Sequence, residues 1–255
     1  MMYQTLQAAA NEVADITATA IIEESSWEVI VRFMQEGGTF MYIILMVFIF
    51  GLAITIERMI FLTSVKHKNK RVWNEILPFL TSGDFARAQQ VTQESNAEIG
   101  RILAYGIDQS SHGKRHDDVE LAMEEGLMEV MPKLEKRTPY LATFANIATL
   151  LGLLGTIMGL ISAFTAVANV DPSEKANLLS ASISVAMNTT AFGLMAAIPL
   201  LLSFSYLQTK TTEIVDSLEM VSVKFINLLR KHQIKVAKRQ AKQTKPSIPR
   251  TPQSS

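Results

Sequence analysis

Apolar residues are gathered along this chain rather than scattered. Three stretches carry no charged side chain: residues 37 to 56, 138 to 170 and 176 to 209. At a rise of about 1.5 Å per residue, a helix of about 20 residues crosses the roughly 30 Å hydrocarbon core, so each stretch is long enough to span a bilayer. The runs are continuously apolar rather than alternating over about 10 residues, which excludes an outer-membrane barrel. The pattern predicts an all-α polytopic membrane protein with transmembrane helices at 39–61, 139–169 and 179–208 and long cytoplasmic helical extensions.

Between and beyond the spans the apolar period becomes that of amphipathic helices. Trp27, Ile30, Val31 and Met34 stand at i, i+3, i+4 and i+7, with Ser25 and Glu28 spaced as a capping box. They predict a short helix within an N-terminal segment, residues 1–38, lying on lipid or on protein. In the middle domain, 62–138, one stripe runs through Trp73, Ile76, Leu77 and Leu80 to Ser82-Gly83-Asp84. Asp84 is placed to cap a next helix through Ala86, Ala88 and Val91. A turn is expected from Ser110 to Lys114. Beyond it Val119, Leu121, Ala122, Met123, Leu127, Val130, Met131 and Leu134 form a helix expected to kink at Pro132 and Pro139. A short loop, 170–178, precedes the third span. Ile214, Leu218, Val221, Phe225, Leu228 and Leu229 then predict a helix over 209–239, followed by a basic, disordered tail over 240–255.

Charge orients these segments. Six carboxylates against Arg32 alone precede the first span, whereas residues 62 to 137 hold eleven Lys and Arg and residues 208 to 255 hold ten. The positive-inside rule therefore places the N-terminus outside and the middle domain and C-terminus in the cytoplasm, in a multi-pass topology. No basic n-region precedes the first span, so it reads as a retained anchor. The chain has no Cys and four His, which excludes disulfide frameworks and thiolate sites. His112 and His116 flank Gly113 in a solvated loop, and the carboxylates between Asp117 and Glu135 are the wet face of a helix, so no metal site is expected. No nucleophile–base–orienter set and no glycine-rich phosphate cradle appears, so no enzyme, cofactor or nucleic-acid partner is expected.

The two longer spans carry the most information. Ala145, Thr149, Gly152, Thr156, Gly159, Ala163 and Ala166 recur at alternating steps of 4 and 3, giving one face of small or hydroxyl-bearing residues. The third span repeats the design with Ser182, Ala186, Thr190, Gly193 and Ala197, and places Ser184, Asn188 and Thr189 nearby. Gly155 with Gly159, and Gly193 with Ala197, are close-approach motifs. Such faces either pack helices or line a polar passage in which Thr156 and Thr190 meet. Pro199 frees the Met195 carbonyl inside the membrane. Neither span contains Asp, Glu, Lys, Arg or His, so a proton crossing here would need a carboxylate from another protein. Glu57 and Arg58, at the inner end of the first span, read as a juxtamembrane ion pair or anchor.

Several of these residues resemble the ExbB/TolQ branch of the MotA/TolQ/ExbB proton-channel family. They are Trp27 with Gly37-Gly38, Glu57-Arg58, Ser82-Gly83-Asp84-Phe85, and two longer blocks. One block runs from Leu141-Ala142-Thr143 through Gly152-Leu153-Leu154-Gly155-Thr156-Ile157-Met158-Gly159-Leu160. The other runs from Ile183 through Asn188-Thr189-Thr190-Ala191-Phe192-Gly193-Leu194 to Ala197-Ile198-Pro199. The resemblance implies a homo-oligomeric, pentameric ring around two copies of an ExbD/TolR-like single-span partner whose membrane Asp carries the ion. It implies an H⁺-driven stator, with Na⁺ as the alternative, in which Thr156 and Thr190, with Thr189, Asn188 and Thr149, form the ion pathway. Gly152, Gly155, Gly159, Gly193, Ala197 and Pro199 would pack the helices. A TonB/TolA-like periplasm-spanning protein is a further implied partner. Some members carry a Glu where this chain has Val185, which leaves subfamily and cargo open among energised outer-membrane import, envelope maintenance and gliding. The competing reading is a non-conducting membrane scaffold.

Overall fold

The computed structural model describes residues 31–35, 37–112, 114–168 and 170–243. Every regular element among them is a helix. Residues 31–35 are helical, and six longer helices follow: α1 (Thr39–Ser82), α2 (Phe85–Glu94), α3 (Glu98–Ser111), α4 (His116–Glu135), α5 (Thr138–Ala168) and α6 (Pro172–Gln243). Three of the described helical stretches are long and apolar enough to cross a membrane, and each holds most or all of one charge-free run. Of the N-terminal amphipathic pattern, Trp27 and Ile30 lie outside the described residues. Met34 falls in the helical segment 31–35.

The helices fall into two compact units, one comprising residues up to Leu52 with Leu141–Leu202, the other Ala53–Tyr140 with Ser203 onward. In the first, Ile44, Ala145, Ala148, Ala196, Ala197 and Leu200 form a buried cluster flanked by Val47, Phe48, Phe144, Leu151 and Phe192. Gly51 admits Leu200, whose Cδ2 lies 2.6 Å from where a Cβ would stand. The outward surfaces carry Leu150, Leu153, Leu154, Phe164, Met187, Leu194 and Leu202, all exposed. That distribution suits helices whose far side faces lipid or another copy rather than water.

The second unit is built around long side chains. Ile76, Leu80, Ile102, Leu103, Met123, Leu134 and Phe225 are fully buried and join α1, α3, α4 and α6. Asp84 caps α2 as its sequence position predicts, accepting from the Arg87 amide at 3.2 Å. The Asn69 side chain of α1 caps α3 from a distance, its Oδ1 accepting from the Ile99 amide at 3.2 Å. Glu213 joins Lys66 and Lys210, both at 3.0 Å. These contacts hold its carboxyl below the usual carboxylate range, first through the Lys210 hydrogen bond and then through that of Lys66.

Three expectations change. The helix anticipated to kink at Pro132 and Pro139 instead ends: α4 stops at Glu135 and α5 starts at Thr138. Arg137 between them is left-handed, with φ 69°, a conformation costing a non-glycine residue about 1–2 kcal/mol. Pro139 falls in the first turn of α5, where its missing amide costs nothing. The loop expected over 170–178 is short, because α6 begins at Pro172. Finally, α6 continues to Gln243, four residues into the segment read as a disordered tail. Residues 244–255 lie outside the described region.

Candidate functional site

The small-residue faces of α5 and α6 meet, and they meet backbone to backbone. A Cβ at Gly152 would lie 3.3 Å from the Cα atoms of both Thr190 and Gly193. One at Gly193 would lie 2.8 Å from the Ala148 carbonyl oxygen and 3.0 Å from Gly152 Cα. At Gly159 it would meet Ala186 Cβ at 2.6 Å, and at Gly155 it would meet Thr189 Cγ2 at 2.3 Å. All four glycines singled out in the sequence therefore lie at this contact, where an added Cβ would force a neighbour to shift. Ala197 is buried in the neighbouring apolar cluster, and Pro199 is accommodated within the continuous α6.

The hydroxyls of Thr149, Thr156, Thr189 and Thr190 are engaged with carbonyls. Thr190 Oγ1 donates across the helix pair to the Gly152 carbonyl at 2.8 Å. That bond is available because Gly152, lacking a side chain, leaves its carbonyl approachable. Thr156 Oγ1 donates within its own helix to the Leu153 carbonyl at 2.6 Å, and Thr149 Oγ1 to the Ala145 carbonyl at 3.1 Å. Thr156 and Thr190 thus approach the same turn of α5, each bonded to backbone rather than to the other. Thr156, Thr190 and Asn188 are half-buried.

Thr189 departs from its neighbours. It is only 2 % exposed, and its hydroxyl has two acceptors in reach, the Gly37 carbonyl at 2.7 Å and the Val185 carbonyl at 2.8 Å. The turn ahead of α1 is therefore fastened to the membrane-length part of α6. Gly38 there has φ 70°, and a Cβ on it would stand 3.4 Å from Val185 Cγ1. Phe33 completes the contact, its ring edge-on to Phe192 with centroids 6.2 Å apart. A pairing between Gly37 and Thr189, 152 residues apart, has no local signature. Only the Gly37-Gly38 dipeptide hints at a close approach.

Glu57 and Arg58 do not pair with each other. Glu57 Oε1 lies 3.1 Å from Arg137 Nη1, so the left-handed residue between α4 and α5 is held by an ion pair to α1. Arg58 is buried, donates from Nη2 to the Leu134 carbonyl and covers the Phe61 ring, with Cζ 4.7 Å from its centroid. Leu134 is among the last four residues of α4, whose carbonyls lack helical partners. Arg58 supplies one. Sequence reasoning missed Arg137 altogether, since its role comes from the chain break that the prolines were expected only to bend.

No group of three or more His, Asp or Glu suited to a metal occurs among the described residues. His112, placed at the C-cap of α3, uses Nδ1 on the Asp108 carbonyl at 2.8 Å.

A helix pair of this sort, apolar outside and hydroxyl-lined within, is accompanied by a direct sequence match. The profile of the MotA/TolQ/ExbB proton channel family matches residues 94–220, which include all of α5 and the membrane-length part of α6. The chain belongs to that family. Similar proteins include an ExbB homolog of Methanothermobacter thermautotrophicus, 24 % identical over 75 % of this chain and 67 % of its own length. The Tol-Pal system protein TolQ of Haemophilus influenzae is 30 % identical over 45 % of this chain and 54 % of its own. The biopolymer transport protein exbB1 of Vibrio cholerae is 51 % identical over a segment covering 21 % of this chain and 23 % of its own. Relatives named for both ExbB and TolQ place this membrane protein in the ExbB/TolQ-like branch of the MotA/TolQ/ExbB family.

Proposed function

We propose that this chain is an ExbB/TolQ-like stator subunit of the bacterial inner membrane. Several copies, five on the family pattern, would surround two copies of an ExbD/TolR-like single-span partner and turn ion-motive force into mechanical work on the envelope. The observation that carries the reading is the α5–α6 pair itself: hydroxyls held at a backbone-tight contact in spans with no Asp, Glu, Lys, Arg or His.

The chemistry follows from what a hydroxyl can exchange. Thr190 donates to a neutral carbonyl at rest, and Thr156 does the same within its own helix. A carboxylate brought close by a partner offers a charge-assisted acceptor, roughly twice as strong, so a hydroxyl gains by turning toward it. Protonation of that carboxylate removes the gain, and the hydroxyl returns to its carbonyl while its lone pairs can still accept. The partner is thus held when charged and released when neutral, the differential interaction that any ion-driven displacement needs. Na⁺ in place of H⁺ would use the same oxygens.

A second reading, a non-conducting scaffold, has its own support: every pore-candidate threonine already has an intramolecular acceptor. The two separate on Thr156→Val and Thr190→Val, which keep shape and remove the hydroxyl. The stator reading expects complexes of unchanged mass by native mass spectrometry and loss of the driven process. Full activity in both variants would leave the scaffold.

A further inference from the structure

Where α1 and α6 leave their apolar runs, the second unit carries a pocket of about 270 Å³, lined among others by Met59, Leu62 and Lys66 of α1 and by Tyr206 and Lys210 of α6. The charge-free run of α1 ends at Ile56 and that of α6 at Thr209, so the pocket lies at the boundary on both helices. Its apolar side is open: Met59 and Tyr206 are exposed, and beside them so are Ile56 and Ile60. Lys66 stands seven residues on from Met59, about 10 Å along the axis, and Lys210 stands one turn on from Tyr206. That rise is enough to pass from hydrocarbon through a headgroup layer about 5–7 Å thick. A tyrosine with a lysine beyond it is the order expected at such an interface.

The two cations are held in place. Lys66 Nζ and Lys210 Nζ donate to the same oxygen of Glu213, Oε2, each at 3.0 Å, which brings the two nitrogens within about 6 Å of each other. Lys210 also lies over the Tyr206 ring, with Nζ 5.6 Å from its centroid. One carboxylate against two ammonium groups leaves a net positive charge, and Glu213 takes only one of the three N–H donors that each ammonium has. The side chains are 55 % exposed at Lys66 and 32 % at Lys210, so the remaining donors are open to a ligand. Two ammonium groups this close suit the paired non-bridging oxygens of a phosphodiester, through charge-assisted hydrogen bonds. A free phosphate would leave Met59 and Tyr206 in water, whereas attached acyl chains would cover them. Choline or ethanolamine would bring a further cation to a site already positive, which favours a headgroup without one.

We infer that this pocket holds the headgroup of an anionic phospholipid, its phosphodiester between Lys66 and Lys210 and its acyl chains against Met59 and Tyr206. The site needs only the membrane spans and does not depend on ion conduction. Bound lipid joins α1 to α6 at the boundary and competes with Glu213 for the two ammonium groups. Removing that carboxylate therefore strengthens lipid binding, although it also removes two ion pairs. Were these residues there only to pack the helices, its removal would loosen the pocket and weaken binding.

The test uses the full chain in detergent, as the assembly it forms, stripped of lipid and titrated with palmitoyl-oleoyl phosphatidylglycerol while native mass spectrometry counts the bound lipid. Phosphatidylcholine with the same chains and glycerol 3-phosphate run in parallel arms. Phosphatidylglycerol is expected to bind several-fold more tightly than either. Lys66→Gln and Lys210→Gln should each weaken it about five-fold, the worth of one cation at an anionic lipid surface, and Glu213→Gln should tighten it by a similar factor. Lys231→Gln, about 30 Å further along α6 and beyond the screening length, should leave it unchanged. Equal uptake of phosphatidylcholine overturns the proposal, and so does weaker binding in Glu213→Gln. An equal loss in Lys231→Gln overturns it too, because overall charge rather than the pocket would then be responsible. Glycerol 3-phosphate bound as tightly as the lipid overturns the lipid assignment. A wild-type assembly that takes up no phosphatidylglycerol also overturns it and leaves the pocket to a second copy of the chain.

Discussion

The two units of this chain are stabilised in opposite ways. Around α5 and α6 the contact is made by what is missing: Gly152, Gly155, Gly159 and Gly193 bring backbones to within van der Waals range, and Thr190 reaches across to the Gly152 carbonyl. In the other unit, large side chains fill the space, with Phe225, Met123 and Leu103 fully buried, and charges tie the helices together. The difference reflects solvent. Lipid offers no hydrophobic force between apolar helices, so close approach and hydrogen bonds must serve. In water, burying apolar area stabilises at about 25 cal/mol per Å², and bulk is an advantage.

Added volume should separate the two most sharply. Gly193→Leu would drive side-chain atoms into the Ala148 carbonyl and the Gly152 backbone, neither of which can yield. The pair is expected to lose 3 kcal/mol or more, roughly the upper range for overpacking, and the complex to disappear from size-exclusion profiles. Gly126→Ala in the other unit meets chiefly the ring of Tyr105, 2.9 Å from the new Cβ, and should cost far less. Equal damage in both would break the contrast.

Charge removal should run the other way. Arg58→Ala leaves the Leu134 carbonyl without its donor and empties the place over Phe61. We expect a loss of about 3 kcal/mol, measured as thermal stability in detergent, with faster hydrogen exchange between Glu135 and Thr138. No residue of α5 between Leu141 and Ala168 has a charge to remove.

Smaller effects sharpen the picture. Thr189→Val should cost about 1 kcal/mol and loosen the turn at Gly37 and Gly38, read as raised hydrogen exchange there while assembly persists. The weakest effect is expected at an exposed pair, Tyr105 Oη donating to Glu129 Oε2 at 3.0 Å. The hydrogen bond from Tyr105 holds the Glu129 carboxyl below its usual range, assisted by Lys133. A carboxyl depressed in the folded state contributes stability above its unfolded pKa and loses it as pH falls through the folded one. Tyr105→Phe should therefore lower the melting temperature slightly near neutrality and leave it unchanged at strongly acid pH.

The same contrast explains what the sequence disclosed. Spans and small faces are local, periodic patterns, so the charge-free runs, the alternating 4 and 3 spacing and the Asp84 cap could be read directly. Contacts between distant residues could not. Thr189 with Gly37, Arg58 with Leu134 and Glu57 with Arg137 pair side chains and carbonyls far apart in sequence. Adjacency made Glu57 and Arg58 look like a pair, yet successive helical residues point about 100° apart and each found a different partner. Two prolines implied a bend, but the break depends on a left-handed arginine that no local rule anticipates.

Proton flux through the partner-bound complex carrying Thr190→Val bears most directly on the central claim. The account predicts a complex of wild-type mass whose flux falls to that of protein-free vesicles. Flux at the wild-type rate through that intact complex would contradict it.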